Sequence, residues 1–305
     1  MTEVNVVDAG HADEVLAVIH ESFTGRPTLD PPATALDETL ESVGKALADY
    51  GGMLARLDGR PVGALLFADH GSLLGLRRVG VLAEDRHHGI ARLLADGAAE
   101  VAAERGKVGL DLEARAELPA TVAFWRKHGY VEVERDGPRL RMLRLLPIRL
   151  TLPTPEDTRA VGERLGPLLR ASDLLILTGD LGAGKTTFTQ GLGDGLGVRG
   201  PVTSPTFVIA RVHPSLRQGP ALVHVDAYRL GDAAELDDLD LDTDLDTAVT
   251  VVEWGSGLAE ALSNDRLELR LERADDDVRT VSLTPVGARW LDVDLRAVSG
   301  SARLA

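Results

Sequence analysis

The chain of 305 residues contains no cysteine and no long hydrophobic run. Without cysteine it can form neither a disulfide bond nor a thiolate metal site, which agrees with a reducing compartment. A membrane helix needs about 18 or more consecutive apolar residues, and a secretory signal needs a basic region before an apolar one. Neither pattern occurs, so we expect a soluble, cytoplasmic protein without an export signal.

Positive charge is also scarce, because 48 acidic side chains oppose 33 basic ones and leave a formal net charge of −15. Such a field repels nucleic-acid phosphates, so we expect no DNA binding and any role on RNA to pass through partner proteins. The densest acidic tract runs from Asp232 to Asp246, where carboxylates are interleaved with leucines. It is either a solvated face or a docking surface for a basic partner.

The length predicts two domains of ordinary size. A seam falls at residues 146–153, which contain two prolines. Before it, residues 139–145 alternate with period two, as in a half-buried strand. After it, Thr154 and Pro155 precede two acidic residues and predict the start of a helix that extends to about Leu169. We therefore predict an α/β protein with two closely joined domains, at residues 1–147 and 151–305.

One lysine marks the second domain. Lys185 is one of only four lysines, and it lies in residues 179–187, GDLGAGKTT, which fit the phosphate-binding pattern G-x-x-x-x-G-K-[ST]. An apolar run of strand length precedes this loop, and helical spacing follows it over 186–196. A strand, a glycine-rich turn and a helix point main-chain amides at phosphates, although an ordinary turn is the alternative. The predicted nucleotide-binding residues here are Asp180, Leu181, Gly182, Ala183, Gly184, Lys185, Thr186 and Thr187.

Two later apolar strands end in a carboxylate, namely Asp226 and Glu253. Acidic groups at strand ends beside a P-loop can hold Mg²⁺ or its water, although each alone is also a common strand cap. The Thr186 hydroxyl would bind the same ion. The chain has only two asparagines, Asn5 and Asn264, and no N-K-x-D motif, which favours ATP over GTP.

With the SPTF segment at 204–207, these motifs closely resemble, in order and spacing, the bacterial ATPase of tRNA threonylcarbamoyladenosine biosynthesis (the TsaE type). The resemblance covers nearly all of residues 151–305. It implies that Thr186 and Glu253 form the metal site, that 204–207 form a switch-like loop, and that Thr158 lies near adenine. The implied catalytic residues are Lys185, Thr206, Asp226 and Glu253.

The resemblance also implies a role. Proteins of this type bind a transferase complex of two related subunits, and ATP hydrolysis resets that complex between modifications, so tRNA is involved only indirectly and no membrane is needed. A P-loop small-molecule kinase is the alternative. Such kinases usually carry an arginine-rich lid, whereas the arginines between the loop helix and Asp226 are scattered, at Arg199, Arg211 and Arg217.

The first half contains a second turn that could hold phosphates. We call it the second cradle, and the loop at 179–187 is the first. A strand at 77–82 precedes residues 84–91, EDRHHGIA, and a helix follows to about Arg105. The R-x-x-G-x-A turn can bind a pyrophosphate through main-chain amides, although a generic βαβ unit is possible. With the FWRKHGY segment at 124–130, residues 3–146 resemble the GNAT acetyltransferase superfamily. The implied acetyl-CoA-binding residues are Val79, Gly80, Val81, Arg86, His87, His88, Gly89, Ile90 and Ala91.

The catalytic groups of this half are less complete. By resemblance, Trp125 occupies the place of a frequent tyrosine acid, and Leu118 that of a common asparagine. The strand at 72–82 carries no carboxylate, so His70 is a candidate base, against a loop histidine without a role. This half is thus an N-acetyltransferase of unknown acceptor, or a non-catalytic acyl-CoA-binding or docking module.

Overall fold

The computed structural model describes residues 2–24, 29–32, 34–205, 209–229, 235, 246–274 and 278–300, with the backbone of 303–304. The chain divides into two compact units, residues 1–146 and 147–305. In the described residues, no helix combines the length and apolar character that a membrane crossing requires.

The first unit is a mixed sheet with helices on both faces. Its sheet has the strand order β1-β2-β3-β4-β5-β7-β6, and only the β4–β5 pair is parallel. The strands are β1 (Thr2–Val7), β2 (Gly52–Leu57), β3 (Arg60–His70), β4 (Leu73–Val81), β5 (Gly109–Arg115), β6 (Val131–Asp136) and β7 (Arg139–Leu145). The helices are α1 (Ala12–Phe23), α2 (Leu40–Tyr50), α3 (Ile90–Glu104) and α4 (Pro119–Lys127).

Side-chain alternation along these strands produces two cores. Leu76 and Leu112 belong to the core that includes α3 and α4, while Leu54 and Leu66 belong to the core that includes α1 and α2. Strand residues two apart share a face, so β2 and β3 each supply buried residues to both cores. Each fully buried leucine contributes about 1.5–3 kcal/mol relative to an exposed one.

The second unit is built around a parallel sheet centre. Its strand order is β10-β11-β12-β9-β13-β14-β8-β15, and β11, β12, β9 and β13 are mutually parallel. The strands are β8 (Ile148–Leu152), β9 (Leu174–Thr178), β10 (Ala210–His213), β11 (Ala221–Asp226), β12 (Ala248–Glu253), β13 (Arg266–Arg273), β14 (Arg279–Val286) and β15 (Arg303–Leu304). Its α-helices are α5 (Pro155–Leu165) and α6 (Lys185–Leu196). The central strands are nearly continuous apolar runs because both faces are covered.

Helix α5 begins as the sequence predicts and ends earlier. Thr154 and Asp157 form a reciprocal capping box, with bonds of 3.1 and 3.0 Å to each other's main-chain amides. The α-helix ends at Leu165 rather than near Leu169. The chain tightens there into a 3-10 turn, Gly166–Leu168, because Pro167 has no amide hydrogen to continue the helix.

Glycines bring α5 and α6 together at backbone distance. A Cβ at Gly191 of α6 would overlap the main chain of Arg159 in α5, and one at Gly195 would overlap the main chain of Glu163. The spacing of four residues puts both glycines on one face of α6. This close approach holds α5 against the helix that follows the glycine-rich loop.

Candidate functional site

The glycine-rich loop joins the end of β9 to the start of α6. Gly179, Gly182 and Gly184 have φ angles of 143°, 82° and 105°, a region in which a side chain is strained. Gly184 is the N-cap of α6, and no side chain caps this helix. The amides of the first turn of α6 are therefore oriented toward the loop and available to an anion.

The Lys185 ammonium lies inside this loop. Its Nζ donates hydrogen bonds to the carbonyl oxygens of Gly179 (2.6 Å) and Asp180 (3.0 Å). It also lies 3.8 Å from the ring centroid of Trp254. Burial lowers the pKa of Lys185, while the charges of Glu253, Asp226 and Asp180 oppose that shift. The predicted phosphate-binding cation is thus in place, with main-chain carbonyls as its partners.

The two predicted carboxylates end adjacent strands. β11 and β12 are parallel in a register that places Asp226 opposite Glu253, and both side chains are buried. The Thr186 hydroxyl donates to Glu253, with distances of 3.2 and 3.5 Å to its two carboxylate oxygens. The sheet topology therefore brings Asp226 and Glu253 to the edge where the loop and α6 begin.

Thr186 and Glu253 are chemically suited to magnesium. A hydroxyl and a carboxylate are hard oxygen donors, which Mg²⁺ prefers over nitrogen or sulfur. Among the described residues, no cluster of three or more His, Cys, Asp or Glu could enclose a metal ion. Magnesium is usually held by one or two carboxylates together with substrate phosphates, so the two residues fit this ion.

Asp226 connects the sheet to the predicted switch segment. Its Oδ2 accepts a hydrogen bond from the Ser204 hydroxyl (3.2 Å), and its Oδ1 accepts one from the amide of Tyr228 (3.2 Å). Thr206 lies outside the described residues, as does residue 207. The acidic tract lies outside them too, apart from Glu235 and Asp246.

The remaining predicted nucleotide-binding residues lie around the loop in different ways. Thr158 is fully buried in α5, and a Cβ at Gly184 would lie 3.5 Å from its methyl group. Its hydroxyl donates to Thr154 of the same helix, so Thr158 faces the loop with its methyl group. Ala183 is buried, Thr187 is half-buried, and Asp180, Leu181 and Gly182 are exposed.

Four neighbours of the site were not predicted from the sequence. Arg273 and Arg279 flank the loop, because their side chains would lie within 4 Å of a Cβ at Gly182 and Gly184 respectively. No sequence motif indicates these two arginines, because the pairing of strands β13 and β14 within the sheet brings them to the loop. His224 is bonded to Glu253, and its signal was a polar residue within an apolar strand. Tyr228 packs on Trp254 with ring centroids 5.3 Å apart.

Trp254, the residue that follows β12, has an unusual backbone. Its φ angle is 61°, and its amide donates to the carbonyl of Leu177 at 2.9 Å. A left-handed conformation costs a residue with a side chain on the order of 1–3 kcal/mol. The hydrogen bond to β9 helps to hold the indole next to Lys185.

In the first unit, β4 and β5 separate partway along their length. Their pairing covers Leu73–Leu76 and Gly109–Leu112 and ends there, although both strands continue. A bulge in β4, where Arg78 has a φ angle of 54°, accompanies the separation. The predicted residues Val79, Gly80 and Val81 all lie beyond the point of separation. Their main-chain groups on the β5 side therefore face a gap between the two strands.

The second cradle, residues 84–91, follows β4 along the chain. Gly89 is the N-cap of α3 with a φ angle of 75°, His87 has a φ of 77°, and no side chain caps the helix. The Arg86 guanidinium bonds the carbonyls of Val81 and Ser22 at 3.4 Å, and His88 Nδ1 lies 3.2 Å from the carbonyl of Asp85. The side chain of Ile90 is buried, so it and Ala91 would contribute main-chain amides.

Two aromatic side chains near this cradle are used for packing. Trp125 is buried against Tyr130, with ring centroids 5.0 Å apart. Burial raises the pKa of the Tyr130 hydroxyl, which has no hydrogen-bond partner among the described residues. Neither side chain therefore presents an accessible acid.

His70 has defined partners. It is the last residue of β3, and its Nδ1 lies 2.8 Å from Oδ1 of the buried Asp111. Arg141 donates to the other oxygen of Asp111 at 3.0 Å. A Cβ at Gly75 would overlap the His70 ring, so the ring lies directly on β4. The carboxylate of Asp111 thus fixes the orientation of the imidazole, which is compatible with the predicted role of general base.

Comparison with known proteins finds two family matches in different parts of the chain. Residues 152–281 match the family described as threonylcarbamoyl adenosine biosynthesis protein TsaE, and residues 16–130 match the acetyltransferase (GNAT) family. The tRNA threonylcarbamoyladenosine biosynthesis protein TsaE of Streptomyces coelicolor is 60% identical over 147 residues, which are 47% of this chain and 99% of that protein. The chain belongs to the TsaE family. The TsaE protein of Bacillus subtilis is 41% identical over 138 residues, 45% of this chain and 84% of that protein.

Solved structures align with one half or the other. Bacillus subtilis YdiB is 33% identical, with a TM-score of 0.42, and the alignment covers 51% of this chain and 96% of YdiB. A PaiA N-acetyltransferase from Thermoplasma acidophilum in complex with coenzyme A is 17% identical, with a TM-score of 0.42, covering 47% of this chain and 98% of the other. The family comparisons confirm both predicted resemblances and the α/β class with a GNAT-like fold followed by a TsaE fold.

Proposed function

We propose that the TsaE unit is a magnesium-dependent ATPase that supports threonylcarbamoyladenosine modification of tRNA through a partner transferase complex. The parallel register of β11 and β12 carries this proposal. It brings Asp226 and Glu253 to the edge of the sheet where Lys185 and Thr186 begin α6. Family membership supports the link to tRNA modification.

The loop would bind the triphosphate through main-chain amides and one cation. The uncapped first turn of α6 supplies amides and the positive end of the helix dipole. Lys185 Nζ would exchange the carbonyl oxygens of Gly179 and Asp180 for β- and γ-phosphate oxygens. The phosphate groups are negatively charged, whereas main-chain carbonyls are neutral, so this exchange favours the bound state.

The carboxylates have separate tasks in this proposal. Thr186 and Glu253 would hold Mg²⁺, which when bound neutralises charge on the β- and γ-phosphates. Asp226 holds Ser204 and would orient the water that attacks the γ-phosphate. Thr206, two residues further along, would contact the γ-phosphate as part of the switch-like loop.

Exposed apolar residues at the rim of the site support a partner surface there. Leu181 is 93% exposed and Tyr228 is 65% exposed, and both lie beside the nucleotide-binding residues. A transferase complex that covers them would sense whether ATP or ADP is bound. We expect hydrolysis by the chain alone to be slow and to be stimulated by the two partner subunits together.

Phosphate release from Mg-ATP, measured with and without the partner pair, tests this function. We expect stimulation of about tenfold or more, and loss of the stimulated rate in Glu253→Gln. Equal rates with and without the partners would contradict the proposal. Appearance of the phosphate on an added small molecule, with no free phosphate, would instead establish the kinase alternative.

For the GNAT-like unit we propose acetyl transfer from acetyl-CoA to an amine. The separation of β4 from β5 supports it, because it exposes main-chain groups beside Val79 and Val81 to a pantetheine arm. The α3 N-terminus would bind the pyrophosphate. His70, oriented by Asp111, would take the proton of the attacking amine.

Incubation of the full chain with acetyl-CoA and a panel of amines and N-terminal peptides tests this second activity. We expect thiol release with some of them, and a rate about 100-fold lower in His70→Gln with unchanged acetyl-CoA affinity. His128→Gln is the matched control, since His128 bonds only a carbonyl of α4 among the described residues. Acetyl-CoA binding without thiol release would favour the binding module.

A further inference from the structure

His224 is a buried polar residue in an apolar strand. It lies in β11 between Val223 and Val225, and its side chain is fully buried. Burying a polar ring without a hydrogen bond costs free energy, whereas burying a valine stabilises the fold, so packing alone does not favour histidine here. Its Nε2 lies 2.9 Å from Oε1 of Glu253.

The hydrogen bond to Glu253 determines which nitrogen of the His224 ring carries the proton. A carboxylate can only accept, so His224 Nε2 must carry the proton and donate to Glu253. The other ring nitrogen, Nδ1, is buried and has no hydrogen-bond partner among the described residues. Among the described residues, Glu253 is therefore the hydrogen-bond partner of the imidazole.

Glu253 receives two donors from different elements. His224 approaches from β11, and the Thr186 hydroxyl approaches from α6. In the parallel register His224 is opposite Val251, two residues before Glu253, so both side chains lie on the same face of the sheet. The two donors together restrict the orientation of a carboxylate that would hold magnesium.

From this geometry we infer that His224 is a positioning residue of the magnesium site. Its Nε2–H holds Glu253 so that the carboxylate and the Thr186 hydroxyl present their oxygens to one ion. The inference rests on the proposed ATPase function. Residues that hydrogen-bond a metal ligand typically contribute about 10–100-fold to metal affinity, and we expect an effect of that size here.

Two carboxamide variants distinguish a hydrogen-bond donor at the position of Nε2 from a polar side chain of any geometry at residue 224. In His224→Gln the amide nitrogen can take the place of Nε2, whereas in His224→Asn it reaches only about as far as Nδ1. With the full chain and a non-hydrolysable ATP analogue, Mn²⁺ affinity is read by electron paramagnetic resonance. We expect it to fall about 10–100-fold in His224→Asn and to stay within about threefold of the unmodified chain in His224→Gln.

Nucleotide affinity in EDTA is the second readout. It should change little in either variant, because the Lys185 ammonium bonds main-chain carbonyls of the loop and both variants keep the Glu253 charge. Thr250→Val is the matched control: Thr250 is buried in β12 three residues before Glu253, so it lies on the opposite face, and its hydroxyl has no partner among the described residues. That variant should leave Mn²⁺ affinity unchanged.

Several results would overturn the inference. Unchanged Mn²⁺ affinity in His224→Asn would do so, as would equal losses in both carboxamide variants. If His224→Asn does not fold, nitrogen NMR of the unmodified chain decides, because a proton on Nδ1 instead of Nε2 rules out the donor role. Absence of metal-dependent nucleotide binding in the unmodified chain would contradict the proposed ATPase function itself, which is a distinguishable result.

Discussion

Two helices of the molecule begin in the same way, α3 in the first unit and α6 in the second. Each follows a strand, each has a left-handed glycine as N-cap, and neither is capped by a side chain. By contrast, α2 and α5 begin with complete capping boxes, at Thr39 and Thr154. Each unit thus contains one helix with a glycine N-cap, which leaves main-chain amides open, and one helix with a capping box, which closes them.

The surroundings of the two open helices differ. Beside α6 lie Lys185 and two buried strand-end carboxylates, Asp226 and Glu253. Before α3, the buried carboxylate Asp85 is already paired with Arg60 at 2.9 Å. In the functions proposed above, main-chain amides bind phosphates at both helices. Among the described residues, carboxylates suited to metal-assisted hydrolysis lie beside α6. In this proposal the open helix N-terminus binds the phosphates, and the residues at the ends of the neighbouring strands determine the chemistry.

The largest difference between the two cradles is expected when the buried Lys185 ammonium is removed. Lys185→Ala should lower ATP hydrolysis by about 100–1,000-fold, because the β- and γ-phosphates lose the charge that stabilises the transition state. Acetyl-CoA binding should not change. Phosphate release and calorimetric titration with acetyl-CoA measure the two effects, and an equal loss of both would show that the cradles are not independent.

Lys185→Arg tests whether the loop requires the compact shape of the ammonium as well as its charge. The guanidinium is planar and larger, so it cannot occupy the position of Nζ between the carbonyls of Gly179 and Asp180. We expect it to be nearly as inactive as Lys185→Ala. Substantial activity would mean that charge alone, without the compact shape, is what the loop requires.

A smaller effect is expected at the other cradle. Gly89 has a φ angle of 75°, and the space around its Cβ position is open within 4 Å, so Gly89→Ala adds backbone strain without a clash. A left-handed alanine costs roughly 1–2 kcal/mol, which corresponds to about a tenfold weaker acetyl-CoA affinity if the loop relaxes away from its bound shape. ATP hydrolysis should be unchanged, and unchanged acetyl-CoA affinity would contradict the assigned cradle.

The smallest effect concerns the pH dependence of the TsaE unit. Burial lowers the pKa of His213 from its ordinary 6.5, and the nearby His224 and Arg211 lower it further, while a hydrogen bond to the main chain of Arg199 opposes the shift. The unfolded chain therefore binds this proton more readily, so stability is lost as pH falls below 6.5 toward the lowered pKa. His213→Gln should flatten this part of the stability curve, changing Tm by no more than about a few degrees. An unchanged slope would exclude His213 as the source.

The sequence was most informative where function imposes a local pattern. The spacing of glycines around Lys185 predicts a turn and a helix start because left-handed angles and amide donors are properties of consecutive residues. The carboxyl-terminal positions of Asp226 and Glu253 on their strands were equally predictable. Their alignment was not, since the register between β11 and β12 comes from pairing across 27 residues of sequence, from 226 to 253.

Non-local contacts explain what the sequence did not show. Arg279 reaches Gly184 only because β14 belongs to the same sheet as β9. The point at which β4 and β5 separate depends on a bulge against β3, which no residue pattern announces. In the sequence His70 has no apparent partner, whereas in the folded chain Asp111 lies beside it.

The most direct test of the account is native mass spectrometry of the full chain with acetyl-CoA, Mg²⁺ and a non-hydrolysable ATP analogue. If the two cradles bind their ligands independently, we expect a complex that holds one acetyl-CoA, one nucleotide and one magnesium ion per chain. In Lys185→Ala only the acetyl-CoA should remain. Ligands that exclude each other, or a chain that binds neither, would contradict the claim that one polypeptide carries two separate phosphate-binding helices.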